Sequence, residues 1–414
     1  MPGKILVDTT PLRESRDFRL LFAGQLISML GTQLTVVAIP YQVFRITHSS
    51  LQVGAISLAQ LVPFIFGALL AGPVGDSVDK RRIMLWTAAA MSLTSATLAF
   101  NASVRHPSLL ALYLVSSAAA GFMGFSSTAR MAAVPGLVER RHFSAAAAMM
   151  QISFQVGTVV GPAVSGLLLS IGLPLVFSID SATFIVAFIA TFMMVAIPPA
   201  EGTSMNPWES AKEGMRYLRT RQALQGVYII DINAMVFGMP RALFPAMAGA
   251  VFGGGTITLG FLYAAPGIGA LIGAVTTGWV THVKRQGRAV ILAVLAWGVA
   301  IALFGLVHVV WVALIMLAIA GWADVISAVL RNTILQTTIP LRFQSRMSSI
   351  QMAVVQGGPR LGDMESGAVA TLTSLEFSVV SGGLACIAGA VIIGLLLPQF
   401  RHHVAADDID EVPV

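Results

Sequence analysis

Runs of apolar residues recur from one end of the chain to the other, separated by short charged or polar breaks. A helix needs roughly 20 such residues to cross the hydrocarbon core of a bilayer, and in lipid only a helix or a closed barrel satisfies its own backbone. Read against those breaks, the pattern predicts twelve helices: 18–44, 51–75, 83–104, 109–134, 144–172, 174–197, 223–248, 256–281, 289–306, 310–335, 347–373 and 377–398. The longest break, Pro198 to Gln222, contains NPWESAKEGMRYLRTRQ, whose charges and spacing predict a short amphipathic surface helix. The expected organisation is an N-terminal six-helix half (1–197), a cytoplasmic linker (198–222), a C-terminal six-helix half (223–400) and a cytoplasmic tail (401–414).

Composition narrows the solvent. Of 414 residues, 56% are hydrophobic and 11% charged, too little polar surface for a soluble domain of this size. The single cysteine, Cys386, excludes an internal disulfide and a thiolate metal cluster. The first apolar run has no small-residue cleavage site and is expected to stay in the mature protein. A net charge of +6 does not point to nucleic acid, because the basic residues lie between apolar runs rather than on one soluble face. With both termini in the cytoplasm, 21 of the 25 Lys and Arg residues fall on the cytoplasmic side, Arg130 and Arg331 among them, as the positive-inside rule requires. Arg45, Arg105, Arg241 and Arg360 are left outside or within spans.

The two halves echo each other. A shift of 201 residues superposes Arg130 on Arg331, Gln155 on Gln356, Gly157 on Gly358, Gly161 on Gly362 and Gly166 on Gly367 without a gap. A weaker echo relates Gly72 and Arg82 to Gly278 and Arg288. Duplicated halves about an axis normal to the membrane are a common transporter plan, with the substrate site near the midplane and alternating access to it.

After the second span the chain reads GPVGDSVDKRR. This resembles the loop signature of the major facilitator superfamily, matched by Gly72, Asp76, Arg81 and Arg82, with Asp79 and Lys80 between them. The resemblance implies an all-α membrane protein with twelve transmembrane helices in two pseudo-symmetric six-helix bundles. It also implies a loop that locks the halves through ion pairs. Where the family pattern has an arginine directly after the aspartate this chain has Ser77, so the lock would draw on another cation such as Lys80. In the fifth span GTVVGPAVSG resembles the family's exporter motif: Gly157 and Gly161 share a helix face, Pro162 bends the helix, and Gly166 closes the motif. The segments RDFRLLFAGQLIS, STARMAAVPGLV and DINAMVFGMPRALFPAM resemble the bacterial enterobactin-exporter and drug-efflux branch, over nearly the whole chain. The arginine that many drug–proton antiporters carry in the fourth span is replaced by Ser117.

An ionisable residue inside a span is costly and therefore a candidate for function. Asp231 lies about nine residues into the seventh span, roughly 13 Å deep. It is the first choice for a proton-coupling residue; the alternative is a carboxylate permanently neutralised by a neighbour such as Arg241 or Arg360. Arg360, Asp363 and Glu365 cluster on the eleventh span, Arg360 and Asp363 on one face, and Asp363 stands at the repeat position of Pro162. Asp180 and Asp324 read as helix-packing carboxylates. Gln25, Gln33, Gln155 and Gln356 could hydrogen-bond a substrate, with Phe22, Phe154, Phe237 and Trp322 as apolar walls.

The chain has no enzyme-like constellation, metal-ligand spacing or phosphate-cradling loop. The expectation is a monomeric secondary transporter of a bacterial inner membrane. It needs no cofactor or metal, exports small amphipathic molecules (drugs or siderophore-like metabolites) against protons, and has lipid but no nucleic acid as a macroscopic partner. An importer or lipid-like flippase of the same fold, and a non-transporting receptor or scaffold, remain open.

Overall fold

The computed structural model describes residues 9–198 and 207–404, without the side chains of 72, 73, 75, 76, 128, 132, 207–211, 281, 341, 342, 345 and 349. The first helices are α1 (Thr10–Glu14), α2 (Arg16–Thr47), α3 (Ser50–Ser77), α4 (Lys80–Ser103), α5 (Leu109–Ala133), α6 (Phe143–Ile171) and α7 (Leu173–Phe192). Then come α8 (Pro207–Arg219), α9 (Gln222–Phe237), α10 (Phe244–Ala250), α11 (Gly255–Thr276), α12 (Gln286–Leu306), α13 (Val310–Thr338), α14 (Leu341–Leu372), α15 (Leu375–Leu396) and α16 (Pro398–Arg401). No strand occurs among the described residues. The protein is an all-α membrane protein.

Local chemistry sets the helix starts. Asp79, Ser108 and Ser374 are N-caps, accepting from the backbone N–H of Arg81, Ala111 and Phe377. Among the described residues, eleven helical segments are long and apolar enough to cross a membrane. α14 has the length, at 32 residues, but carries Arg342, Arg346, Arg360, Asp363 and Glu365. The most polar span is thus the one that concentrates candidate chemistry.

The apolar pattern predicts one helix over 223–248, and the structure breaks it. α9 ends at Phe237, a 3-10 turn covers Arg241–Leu243, and α10 follows. Pro240 offers no N–H and disfavours a helical Met239, which together with Gly238 favours a break at this point. Side chains serve both sides of the break. Trp297 Nε1 donates to Gly238 O at 2.8 Å, and Ala242 N–H donates to Asp363 Oδ1 at 3.1 Å.

The chain forms two compact units. The first comprises residues 1–47, 59–204 and 259–264, the second 48–58, 205–258 and 265–414. In the first, α4 packs on α7 and α5, and α2 on α7 and α6. In the second, α12 packs on α15 and α13, and α9 on α14 and α15. Helix for helix this is one scheme used twice, the packing counterpart of the sequence repeat. The amphipathic helix α8 docks on α14 within the second unit: Arg346 pairs with Glu213 at 2.7 Å, and Tyr217 stacks on Phe343 at 4.4 Å. Phe400 of α16 is fully buried against Gly226 and Gly287, at the starts of α9 and α12.

Candidate functional site

Among the described residues, a buried ion pair lies in the second unit, where α9 faces α13. Asp231 is 1% exposed and Arg331 4% exposed, and Arg331 Nη2 lies 2.9 Å from Asp231 Oδ1. The same nitrogen is 3.7 Å from Asp324 Oδ1, and Arg331 Nη1 donates to Ser327 Oγ at 2.7 Å. Asp324, Ser327 and Arg331 recur every three or four residues along α13, so all three share its inner face. Oδ2 of Asp231 accepts no hydrogen bond among the described residues, which leaves one guanidinium as its principal stabilisation. Two carboxylates thus compete for one cation in a poorly hydrated place, where Coulomb attraction is strong and an unpaired charge is costly.

Neither Arg241 nor Arg360 is the partner of Asp231; Arg331 is. Arg331, counted with the basic residues of the cytoplasmic side, is buried and held by a carboxylate from α9 and a serine one turn away. Asp324 is not a simple packing carboxylate either: its side chain remains 33% exposed beside Arg331.

A second group surrounds Asp363. Its carboxylate accepts from Ala242 N–H, lies in hydrogen-bonding reach of Ser57, and sits in the field of Arg241 and Arg360. Arg360 also donates to its own helix at Gln356 O, 2.6 Å away. Glu365, two residues on, points to the opposite side of α14 and is half-buried. The clustered trio of the sequence therefore separates into an Arg360–Asp363 face and a lone Glu365.

The exporter-motif glycines are contact points. A Cβ on Gly157 would lie 2.8 Å from Met29 Cγ, and one on Gly161 would collide with Gln33 Cβ. Their repeat counterparts Gly358 and Gly362 both seat Met235 of α9. Pro162 lies inside α6, with Gly166 beyond it. In the loop signature, the side chains of Gly72 and Asp76 lie outside the described residues. Asp79 caps α4 and accepts from Ile197 N–H at 3.0 Å, while Lys80 N–H donates to Ile197 O. Arg81 donates to Thr191 O and Phe192 O and lies over the Phe192 ring, while Arg82 is exposed. Asp79 and Arg81 thus bond the backbone at and after the end of α7, Arg81 taking up carbonyls that the helix end leaves without helical partners. The echo at Gly278 makes no close approach: a Cβ there would meet nothing within 4 Å.

The cavity candidates scatter. Gln25 lines a small cavity of about 30 Å³ with Arg130, Ser28 and Ser126 in the first unit. Gln33 is a packing residue under Gly161, Phe22 stacks on Phe18 with centroids 6.3 Å apart, and Phe154 is 49% exposed with Gln155 half-buried beside it. In the second unit Gln356 accepts from Arg360, Trp322 Nε1 donates to Thr276 at 3.1 Å, and Phe237 is 36% exposed at the end of α9.

The residues the sequence reading passed over are Arg331, Ser327 and Trp297. A signal for the first was present, since Arg331 heads the repeat alignment.

A family model described as transmembrane secretion effector, within the major facilitator superfamily, matches residues 8–412. The chain belongs to that family. Among curated relatives, the enterobactin exporter EntS of Escherichia coli strain K12 is 29% identical over 399 residues, 96% of this chain and 95% of that protein. EntS of Escherichia coli O81 is 30% identical over the same shares. The secretion-effector fold also aligns with solved transporters. A mutant of the nucleoside transporter NupG gives a TM-score of 0.77 at 12% identity, covering 92% of this chain and 99% of that one. A POT family transporter in complex with 5-aminolevulinic acid gives 0.74 at 12% identity over 93% and 97%. At such identities these structures establish the fold alone: the major-facilitator type, two six-helix bundles, as the sequence predicts. The secretion-effector protein is a membrane transport protein and not an enzyme.

Proposed function

We propose that this secretion-effector protein exports small amphipathic molecules, siderophore-like metabolites or drugs, across the bacterial inner membrane by proton antiport with alternating access, both termini in the cytoplasm. Relatives named as enterobactin exporters over almost the whole chain favour the siderophore class and the outward direction. The observation that carries the coupling is the buried Arg331 guanidinium with Asp231 at 2.9 Å and Asp324 at 3.7 Å. A proton arriving on Asp231 would cancel the attraction and hand Arg331 to Asp324. That exchange gives Arg331 two alternative partners, one across on α9 and one on its own helix, so that α9 and α13 are tied in one state and released in the other, which is what a proton-driven step requires.

The test is flux in cells stripped of their own pumps, with lipophilic cations and catecholate siderophores as the panel. Wild type should lower accumulation, an uncoupler should abolish the effect, and Asp231→Asn should cut uncoupler-sensitive export by about tenfold or more. Export that persists at the wild-type rate in Asp231→Asn would remove the coupling role from this pair.

A further inference from the structure

Two places in the molecule share a close helix crossing and differ at its centre, where one has Pro162 and the other Asp363. Residues 259–264 of α11 belong to the first unit, where Gly260 lies so close to the exporter motif that a Cβ would be 2.7 Å from Pro162 O and 2.8 Å from Gly166 Cα. Residues 48–58, at the start of α3, belong to the second unit. There Gly54 lies against the Asp363 backbone carbonyl and Gly367 against Ser50 O. Under the repeat, Pro162 corresponds to Asp363 and Gly166 to Gly367, so these are two copies of one helix crossing. The first copy is chemically inert. The second has a carboxylate at its centre.

That carboxylate touches three elements at once. It belongs to α14, takes the Ala242 N–H that opens the segment after the break, and meets the Ser57 hydroxyl of α3. The charged groups facing it are Arg241, on the turn before α10, and Arg360, one turn earlier on its own helix. As an anion it neutralises part of this positive pair, accepts from Ala242 N–H and lies within reach of the Ser57 hydroxyl, which itself donates to Val53 O at 3.5 Å. Once protonated it would offer one carbonyl oxygen and leave the two guanidinium charges to repel each other.

We infer that Asp363 is a second protonation site, a latch whose carboxylate holds residues 48–58 and the 241–250 segment onto α14 and releases them when it takes up a proton. The crossing at Gly260 is its non-titrating counterpart. The inference rests on the antiport reading only for the origin of the proton.

The test needs no transported substrate. In a Cys386→Ser background, Ser50→Cys places a reporter at the latch, where Ser50 is 7% exposed, and Leu259→Cys places one at the inert crossing, where Leu259 is 1% exposed. Thiol modification in detergent, normalised to the unfolded chain at each pH, should rise about tenfold at the latch from about pH 8 to about pH 5.5, and stay flat at the inert crossing. Asp363→Asn should leave the latch reporter fast at every pH. Asp363→Glu should keep the pH response with a displaced midpoint. A flat latch reporter in the parent, or a pH response that survives Asp363→Asn, would overturn the inference. Because no flux is read, failure here leaves export by the Asp231–Arg331 pair standing, and failure of the flux test leaves the latch standing.

Discussion

Asp180 and Asp231 are both carboxylates buried in six-helix bundles, at 2% and 1% exposure, and the two bundles treat them in opposite ways. In the first unit, Thr35 and Ser95 donate to Asp180 Oδ2 at 2.8 and 2.7 Å, and no cation pairs with it among the described ion pairs. In the second unit, Asp231 faces the charge of Arg331 with Asp324 close behind. Hydroxyl donors tie three helices together and, although they bond the anion more strongly, can still serve a neutral acid, because a hydroxyl both donates and accepts. A guanidinium serves only the anion. The first arrangement therefore tolerates a change of protonation without rearranging, and the second does not.

The sharpest way to break this comparison is to remove the cation. Arg331→Gln should destabilise the protein by about 3–5 kcal/mol, because Asp231 is left charged and unpaired. Adding Asp231→Asn should recover more than half of that loss in thermal unfolding in detergent. Equal Tm values for the single and double variants would mean that the two side chains are not energetically coupled.

Next in size is the hydroxyl-bound acid. Asp180→Leu leaves the Thr35 and Ser95 hydroxyls without their acceptor and should cost about 1–3 kcal/mol, whereas Asp180→Asn keeps an acceptor oxygen and should cost clearly less. If Asn proves as damaging as Leu, the negative charge itself matters at Asp180 and the contrast with Asp231 disappears.

The smallest effects test the crossings that carry these groups. Gly161→Ala must displace Gln33 at its Cβ and should cost about 1–3 kcal/mol. Gly157→Ala meets Met29 at Cγ, out along a flexible side chain, and should cost less. Gly278→Ala, with nothing in its path, should stay within about 0.5 kcal/mol of wild type. Thermal unfolding of the three variants side by side reads the order directly, and a costly Gly278→Ala would restore the close approach that the sequence echo suggests.

Much of this was legible beforehand, for physical reasons. Apolar run length decides what can span a bilayer, so the spans, the surface helix at 207–219 and the repeat were all readable in one dimension. Asp231 stood out because a charge inside an apolar run is rare. Its partner did not. Arg331 lies near the end of its run, where a basic residue ordinarily signals a cytoplasmic turn, and only packing of α9 against α13 distinguishes a buried arginine from a loop arginine. The break in the seventh span was hinted at by Gly238 and Pro240. That Trp297 and Asp363 would satisfy its two ends depends on residues 59 and 121 positions further along the chain.

The sequence by itself determined that this chain lives in a membrane, that it is built twice, and that its few intramembrane charges gather in the second half. Those are properties of composition and period, which need no folding to be read. Tertiary structure alone decided which charge meets which: Arg331 with Asp231, the Asp363 carboxylate with Ala242 and Ser57, Arg81 with the end of α7. Contacts between helices far apart in sequence are fixed by shape and by the requirement that every buried polar group find a partner, and neither is written in local order.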